Sequence, residues 1–338
     1  MPKKIDWDNL TFSLTPAKTM FASKCKADGK WDKGAFLPFK NISVSPAAGV
    51  LNYGQGLFEG LKALRTKNGG IVLFRPVENG KRLAEGARRL CMPEYPPEQF
   101  VEVVKALVKK NEAFVPPYGK GSLYIRPCLW GTGPILGVAP APEYAFLIYV
   151  SPVGPYFKTG FKPVKLIITS TYHRSAAKGA GGVKSIGNYA PTMYPAREAK
   201  AQGFNECIYL DSREERYIEE VGAANFFCVK GNVLATPALG SILPGITRKS
   251  VMQLASDILR MDVQEKYVSV DEAMAADEAF CTGTAAVVSS IGSITFQGRE
   301  KVYGAFSVGP VTKKLYDLLT KIQLCEEKDP YGWVVKVK

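Results

Sequence analysis

The sequence predicts a two-part chain, an α/β first half followed by a strand-rich second half, and three observations predict it. The chain has 338 residues, which at roughly 150 residues per domain makes about two domains. Up to residue 150, strand signals alternate with helix signals. From Ser151 to Gly160, two prolines and two glycines fall within ten residues, a composition that interrupts regular structure. The expected organisation is a smaller α/β domain at 1–150, an interdomain linker at 151–160 and a larger domain at 161–338.

Taken in order, Ile71-Val72-Leu73-Phe74 is an apolar run closed by Pro76, and residues 79–90, rich in Arg, Ala and Leu, read as a helix. Phe100, Val103, Val104, Leu107 and Val108 recur at i, i+3, i+4, i+7 and i+8, the apolar face of a second helix. Runs of aromatic and β-branched residues at 123–130 and 144–150 read as strands. In the second half, strands are expected at 164–171, 206–210, 225–229, 278–281 and 287–291. Helices are expected there at 189–202, 247–260 and 311–322.

Apolar residues make up 46% of the chain and charged residues 22%, the balance of a soluble globular protein. Lysine and arginine total 44 against 31 acids, a net charge of +13, which favours anionic partners. The basic residues are scattered as doublets such as Arg88-Arg89 and Lys313-Lys314. A nucleic-acid binder gathers them on one face among stacking aromatics, so small anions are the expected ligands and no nucleic acid. A single histidine, His173, excludes sites with several His ligands, and no metal is expected. Seven cysteines with no C-x-x-C read as free thiols in a reducing compartment. No apolar run reaches the roughly 18 to 20 residues that span a bilayer, so no membrane is expected. The start, Met1 to Asp8, has no apolar core, and the chain as it stands reads as cytoplasmic.

Several segments carry chemistry. In residues 179–189, Lys184 is the one lysine of a glycine-rich stretch between a strand and a helix. Glycines there let a ligand approach the backbone, and a lysine with little hydration offers a nucleophilic amine suited to a Schiff base. The alternative is a solvated loop lysine. A phosphate-loop reading fails on spacing, because Val183 stands where a glycine must precede the lysine. The dinucleotide spacing at Gly54, Gly56 and Gly60 is missed by one residue. Leu243-Pro244-Gly245-Ile246-Thr247-Arg248 leads into an amphipathic run. Thr247 suits an N-cap, and the free N–H groups at such a helix start hold either an anion or only the cap. Cys281-Thr282-Gly283-Thr284-Ala285 ends a strand as a phosphate rim or an ordinary turn. In Tyr217-Ile218-Glu219-Glu220-Val221, period-two alternation turns one of the two acids inward, where it needs a partner, or else the acid faces water. Tyr124 and Arg126, two apart, share one strand face, where the arginine can fork onto a carboxylate or be solvated.

Together with Tyr53-Gly54-Gln55-Gly56-Leu57-Phe58-Glu59-Gly60, these segments, in order and in register over nearly the whole chain, closely resemble the branched-chain amino acid aminotransferases. The resemblance is nearest to plant-type members through residues 51–63, 119–127 and 151–157. It implies a fold-type IV enzyme, a smaller α/β domain and a larger barrel-like domain carrying the cofactor lysine, a homodimer, and pyridoxal 5'-phosphate as cofactor. Lys184 would be the catalytic lysine, bonded to the cofactor and moving the substrate proton. Tyr189 would meet the phenolic oxygen, and Glu220 would keep the pyridine nitrogen protonated so that the ring serves as an electron sink. Arg82, Ile246, Thr247 and Thr284 would hold the phosphate. Tyr53, Phe58, Tyr124 and Arg126 would line the substrate pocket, with Ala223 and Ala285 near the substrate carboxylate.

The implied reaction is reversible ping-pong transfer of an amino group between Leu, Ile or Val and 2-oxoglutarate. Two departures from the family bear on it. Gly222-Ala223 stands where many members have Gly-Thr, which removes a hydroxyl. Ala286 and Ser289 occupy the places of the animal members' C-x-x-C, so no thiol switch is expected. A methionine-preferring relative or a D-amino acid aminotransferase of the same fold remains an alternative, the latter disfavoured by Tyr124-Ile125-Arg126-Pro127. From another class, so does a non-catalytic anion-binding protein. Plant-type relatives are often organellar, which leaves a mature organellar form open.

Overall fold

A computed structural model describes residues 5–26, 28–154 and 161–337, and the chain divides into two compact units. The first unit comprises Met1–Tyr156, Val183–Gly187 and Ile322–Lys338; the second comprises Phe157–Gly182 and Asn188–Lys321.

The first unit contains β1 (Thr19–Lys26), β2 (Ala35–Pro38), the short helix α1 (Gly49–Asn52), β3 (Gly56–Phe58), β4 (Leu61–Arg65), β5 (Ile71–Phe74), α2 (Pro76–Arg89), α3 (Pro97–Lys110), β6 (Ser122–Gly131) and β7 (Glu143–Val153). Its two long helices follow one another rather than alternating with strands. Each has proline in its first turn and basic residues in its last, placements that suit the missing N–H and the helix dipole. Phe100, Val104, Leu107 and Val108 are inaccessible to solvent, and Val103 packs partly buried against the same core. The strand pairings are antiparallel. On β6 the period of two sends Leu123, Ile125 and Leu129 into this core, while Cys128 joins a smaller cluster with Met20, Phe58 and Tyr149. The stretch expected as a linker begins inside β7, which runs through Val153, and its residues 155–160 lie outside the described ones.

The second unit contains β8 (Val164–Thr169), α4 (Met193–Ala201), β9 (Glu206–Leu210), β10 (Tyr217–Val221), β11 (Ala224–Lys230), β12 (Val233–Pro237), α5 (Ile246–Asp257), β13 (Asp262–Lys266), β14 (Val268–Ser269), α6 (Val270–Ala275), β15 (Glu278–Gly283), β16 (Val287–Phe296), β17 (Arg299–Val302) and α7 (Pro310–Gln323). Six of its strands, in the order β11-β15-β16-β8-β9-β10, close into a barrel because β10 pairs back onto β11. Closure removes the open edges of these strands, and Phe226, Cys281, Ile291 and Ile294 fill the core without exposure. Gly222 and Ala223 turn β10 into β11. Gly222 has φ +53°, and a Cβ there would strike the Glu206 side chain.

Finally, β18 (Val334–Lys336) returns to pair with β5. The Arg75 N–H donates to the Trp333 carbonyl at 2.7 Å, and the Arg75 guanidinium lies 4.8 Å from the Trp333 ring.

Three local expectations are corrected. The lysine segment, expected within 161–338, groups with the first unit, because Ser185 bridges to Leu57 and Val183 packs on that unit's core. The helix expected from residue 189 begins at Met193, after a 3-10 turn containing Pro191. Thr247 does not cap α5. Gly245 occupies the cap position and Thr247 is already inside the helix. All seven cysteines are free. Burial pushes the Cys128, Cys228 and Cys281 thiols up to about 12 and Cys207 to about 11, which keeps them protonated and unreactive.

Candidate active site

In the first unit, Phe58 ends β3 opposite Cys128 of β6, and its N–H donates to the Lys184 carbonyl at 3.2 Å. That bond fixes the lysine's backbone at the sheet, and the Lys184 ammonium stands 4.6 Å from the centre of the Phe58 ring. The same ring lies 4.8 Å from the Arg126 guanidinium, which also lies 5.2 Å from the Tyr124 ring and donates to the Tyr124 hydroxyl at 3.3 Å. Such faces attract cations without neutralising them. Arg126 faces Tyr149 across the β6–β7 pair. Its Nε is buried with no acceptor, and among the described residues no carboxylate forms an ion pair with it.

Beside Phe58, Glu59 is fully buried. Arg82 Nε and Nη2 donate to its two oxygens at 2.7 and 2.8 Å, and Asn79 Nδ2 donates at 2.7 Å. Burial works against the ionised form of Glu59, yet Arg82 foremost, with Lys184 and Asn79, outweighs it and holds the carboxyl below its ordinary value. The first unit thus brings Lys184, Tyr124, Arg126 and Arg82 around two adjacent residues, Phe58 and Glu59. Tyr53 is bound differently. It is partly exposed at the end of α1, and its hydroxyl donates to the Leu136 carbonyl.

In the second unit, both Glu219 and Glu220 are buried. Alternation turns only one of two neighbours inward, but β10 slips its register against β9 between Ile218 and Glu220, and such a bulge re-aims side chains. Arg174 Nη1 lies 2.6 Å from Glu220 Oε2, each side chain only 2% exposed, and Arg174 Nε donates to the Gly222 carbonyl at 2.8 Å. The same guanidinium lies 5.4 Å from the Tyr189 ring. The other oxygen of Glu220 accepts from Asn225 Nδ2 at 3.0 Å and the Leu243 N–H at 3.1 Å. Glu219 instead accepts from the Ser241 hydroxyl, and burial pushes its carboxyl above the ordinary value. His173 stands aside, 3.4 Å from Glu215 and partly exposed.

Asn225 continues this network to α5, since its side chain also donates to the Leu243 carbonyl at 2.9 Å and a Cβ at Gly245 would strike it. Ile246 and Thr247 are the first residues of α5, whose start has no side-chain cap and no acid in its first turn. Arg248 anchors that turn by donating to the Pro237 carbonyl and to Glu265, both at 2.7 Å. Thr284 and Ala285 lie in the β15–β16 turn. Gly283 at its base is close to Ala223 and Ala224, and Thr282 Oγ1 is buried without a partner.

In each unit taken by itself, the residues present suit part of a phosphorylated cationic ring. An uncapped helix start offers N–H groups to a dianion, a buried carboxylate offers itself to a ring N–H, and Lys184 supplies an amine. Among the described residues no group of three or more His, Cys, Asp or Glu could hold a metal ion, and no helix is long and apolar enough to cross a membrane.

Comparison with known proteins identifies the family. The family described as amino-transferase class IV matches residues 56–294. A chloroplastic branched-chain-amino-acid aminotransferase of Arabidopsis thaliana, number 5, is 52% identical over 335 residues, covering 99% of this chain and 80% of the relative. The crystal structure of the Escherichia coli branched-chain amino acid aminotransferase is 28% identical, covers 95% of this chain and 100% of its own, and superposes with a TM-score of 0.83. The T.th. branched-chain amino acid aminotransferase, solved with pyridoxamine 5'-phosphate, is 30% identical, covers 96% of this chain and 100% of its own, and has a TM-score of 0.82. The chain belongs to the class IV aminotransferases, enzymes that use pyridoxal 5'-phosphate. Within them it groups with the branched-chain amino acid aminotransferases.

Local sequence reasoning missed Arg174, Asn225 and Glu59. Glu59 lies inside the quoted segment Tyr53 to Gly60 and Asn225 begins the strand expected at 225–229, and the rule that a buried carboxylate needs partners pointed to such residues without naming them. Arg174, beside the lone histidine, carries no local signal.

Proposed function

We propose that this chain transfers the amino group of Leu, Ile or Val to 2-oxoglutarate, reversibly and by a ping-pong sequence, with pyridoxal 5'-phosphate as cofactor. One observation carries the reading: a single aromatic ring holds both the Lys184 ammonium and the Arg126 guanidinium, whose buried Nε lacks an acceptor. A site that takes apolar amino acids in one half-reaction and glutamate in the other needs an apolar wall with one cation inside it. Phe58 and Tyr124 supply the wall, and Arg126 the cation for the γ-carboxylate.

The cofactor, when bound, supplies an electron sink for the electrons left at the substrate Cα. Lys184 takes the proton from that carbon and returns it at the other end of the transferred amino group. Glu220 accepts from the ring N–H and keeps it protonated, and Tyr189 donates to the phenolic oxygen. Arg82, the N–H groups of Ile246 and Thr247, and the Thr284 hydroxyl hold the phosphate. Ala223 and Ala285 border the α-carboxylate.

The active form is a homodimer. A loop tip with Leu136 93% and Val138 87% exposed supports this, since it offers apolar surface for a second copy to cover. The chloroplastic address of the Arabidopsis thaliana relative supports an organellar location.

A panel of amino donors with 2-oxoglutarate tests the function. Leu, Ile and Val should give turnover at least tenfold above Ala, Asp and D-amino acids. Preference for Met would move the donor class, and no turnover with any donor would overturn the reading.

A further inference from the structure

Glu59 belongs to none of the roles above, yet it is the most enclosed carboxylate of the first unit. We infer that Glu59 is a positioning residue for the phosphate end of the cofactor, gripping Arg82 so that the remaining donors of that guanidinium are fixed in direction. The inference rests on the proposed use of Arg82.

The geometry carries it. A guanidinium presents its N–H donors as rigid forks. Glu59 occupies the Nε/Nη2 fork with both of its oxygens, at 2.7 and 2.8 Å. The carboxylate is itself held. Asn79, one turn before Arg82 on α2, donates to Oε2, and the Gly60 N–H donates to the same oxygen at 3.2 Å. The Glu59 N–H donates to the Pro127 carbonyl on β6 at 2.8 Å. The chain of support therefore runs from sheet to carboxylate to arginine. It sets the plane of a side chain that otherwise has many rotamers.

Here the fork is matched atom for atom, and Asn79 shares the oxygen that meets Nη2. The match turns Nη1 away from Glu59 and so sets the direction in which the guanidinium meets an anion. Because Glu59 and Arg82 cancel in charge, the phosphate must also draw on neutral donors, which fits the proposed use of N–H groups at a helix start.

The test separates positioning from mere structural support by comparing two ligands. Dissociation constants of pyridoxal 5'-phosphate and of pyridoxal, which lacks the phosphate, are measured on the full chain freed of cofactor. Melting temperature serves as a check on folding. Glu59→Gln should weaken pyridoxal 5'-phosphate about tenfold and pyridoxal less than about twofold, so that their affinity ratio falls. Asn79→Ala, which loosens Glu59 and leaves its charge, should move the same ratio about threefold. In an Arg82→Ala background, Glu59→Gln should move it no further. A ratio unchanged in both single variants overturns the inference, as does an undiminished effect of Glu59→Gln without Arg82. A wild-type chain that binds pyridoxal 5'-phosphate no better than pyridoxal overturns instead the proposed use of Arg82.

Discussion

Two enclosed arginine–glutamate pairs, one in each unit, have opposite roles in the proposed site. Arg82 and Glu59 meet as fork on fork, with Asn79 as support. Arg174 and Glu220 meet through one nitrogen and one oxygen, and the arginine's Nε goes to the Gly222 carbonyl instead. In the first pair the proposed ligand contact is the cation and the acid is the support. In the second it is the acid, and the cation is the support. The difference in geometry matches the difference in proposed role. A supported arginine aims a corner at phosphate, whereas a supported carboxylate must keep a direction for a ring N–H, and one-nitrogen pairing leaves it less tightly covered.

The sharpest way to break this contrast is a split between rate and affinity. Glu220→Ala, saturated with cofactor, should lose roughly 10²- to 10⁴-fold in turnover, the range of an acid–base contribution. Arg82→Ala should need far more cofactor to saturate and then turn over within about tenfold of wild type. Equal effects in steady-state kinetics on both quantities would erase the distinction.

A second comparison is one of stability. Removing Arg174 leaves Glu220 buried without its counter-charge, and breaking such a pair costs about 3–5 kcal/mol. Denaturant unfolding of Arg174→Ala should show a loss of that size, and an unchanged midpoint would mean that Asn225 and the Leu243 N–H suffice.

The smallest effect concerns buried acids with opposite signs. Glu59, held below its ordinary value, contributes stability that is present above about pH 4.3 and lost as pH falls through its folded value. Glu219, pushed up by burial, contributes stability that is present below about pH 4.3 and lost as pH rises through its folded value. Thermal melts of Glu219→Gln between about pH 4 and pH 7 should therefore gain on wild type as pH rises. A constant difference would show that Glu219 titrates in the fold as it does in the unfolded chain, with no shift from burial.

Much of the proposed site was legible because its residues fall in order and in register with the family's segments: Lys184, Arg82, Glu220 and the start of α5 could all be named. Their supports were not. Arg174 and Glu220 meet only because the barrel closes, and the burial of both Glu219 and Glu220 depends on a register slip that no alternation rule contains. Likewise, Thr247 reads as a cap until Gly245, in an extended conformation, takes that place. In the first unit, the two long helices and the strands at 71–74, 123–130 and 144–150 were legible. The strands β1 to β4 were not, because they are short or carry lysines at their exposed positions.

The return of β18 to β5 has a consequence for synthesis. The ribosome makes most of the first unit early, but the strand that covers its edge only after the whole second unit. Trp333, which receives Arg75 on both its carbonyl and its ring, emerges equally late. Until then β5 is an open edge able to pair with another nascent chain. The segment Ile322–Lys338 thus acts as a clasp, and removing it should turn a monodisperse product into one that depends on chaperones.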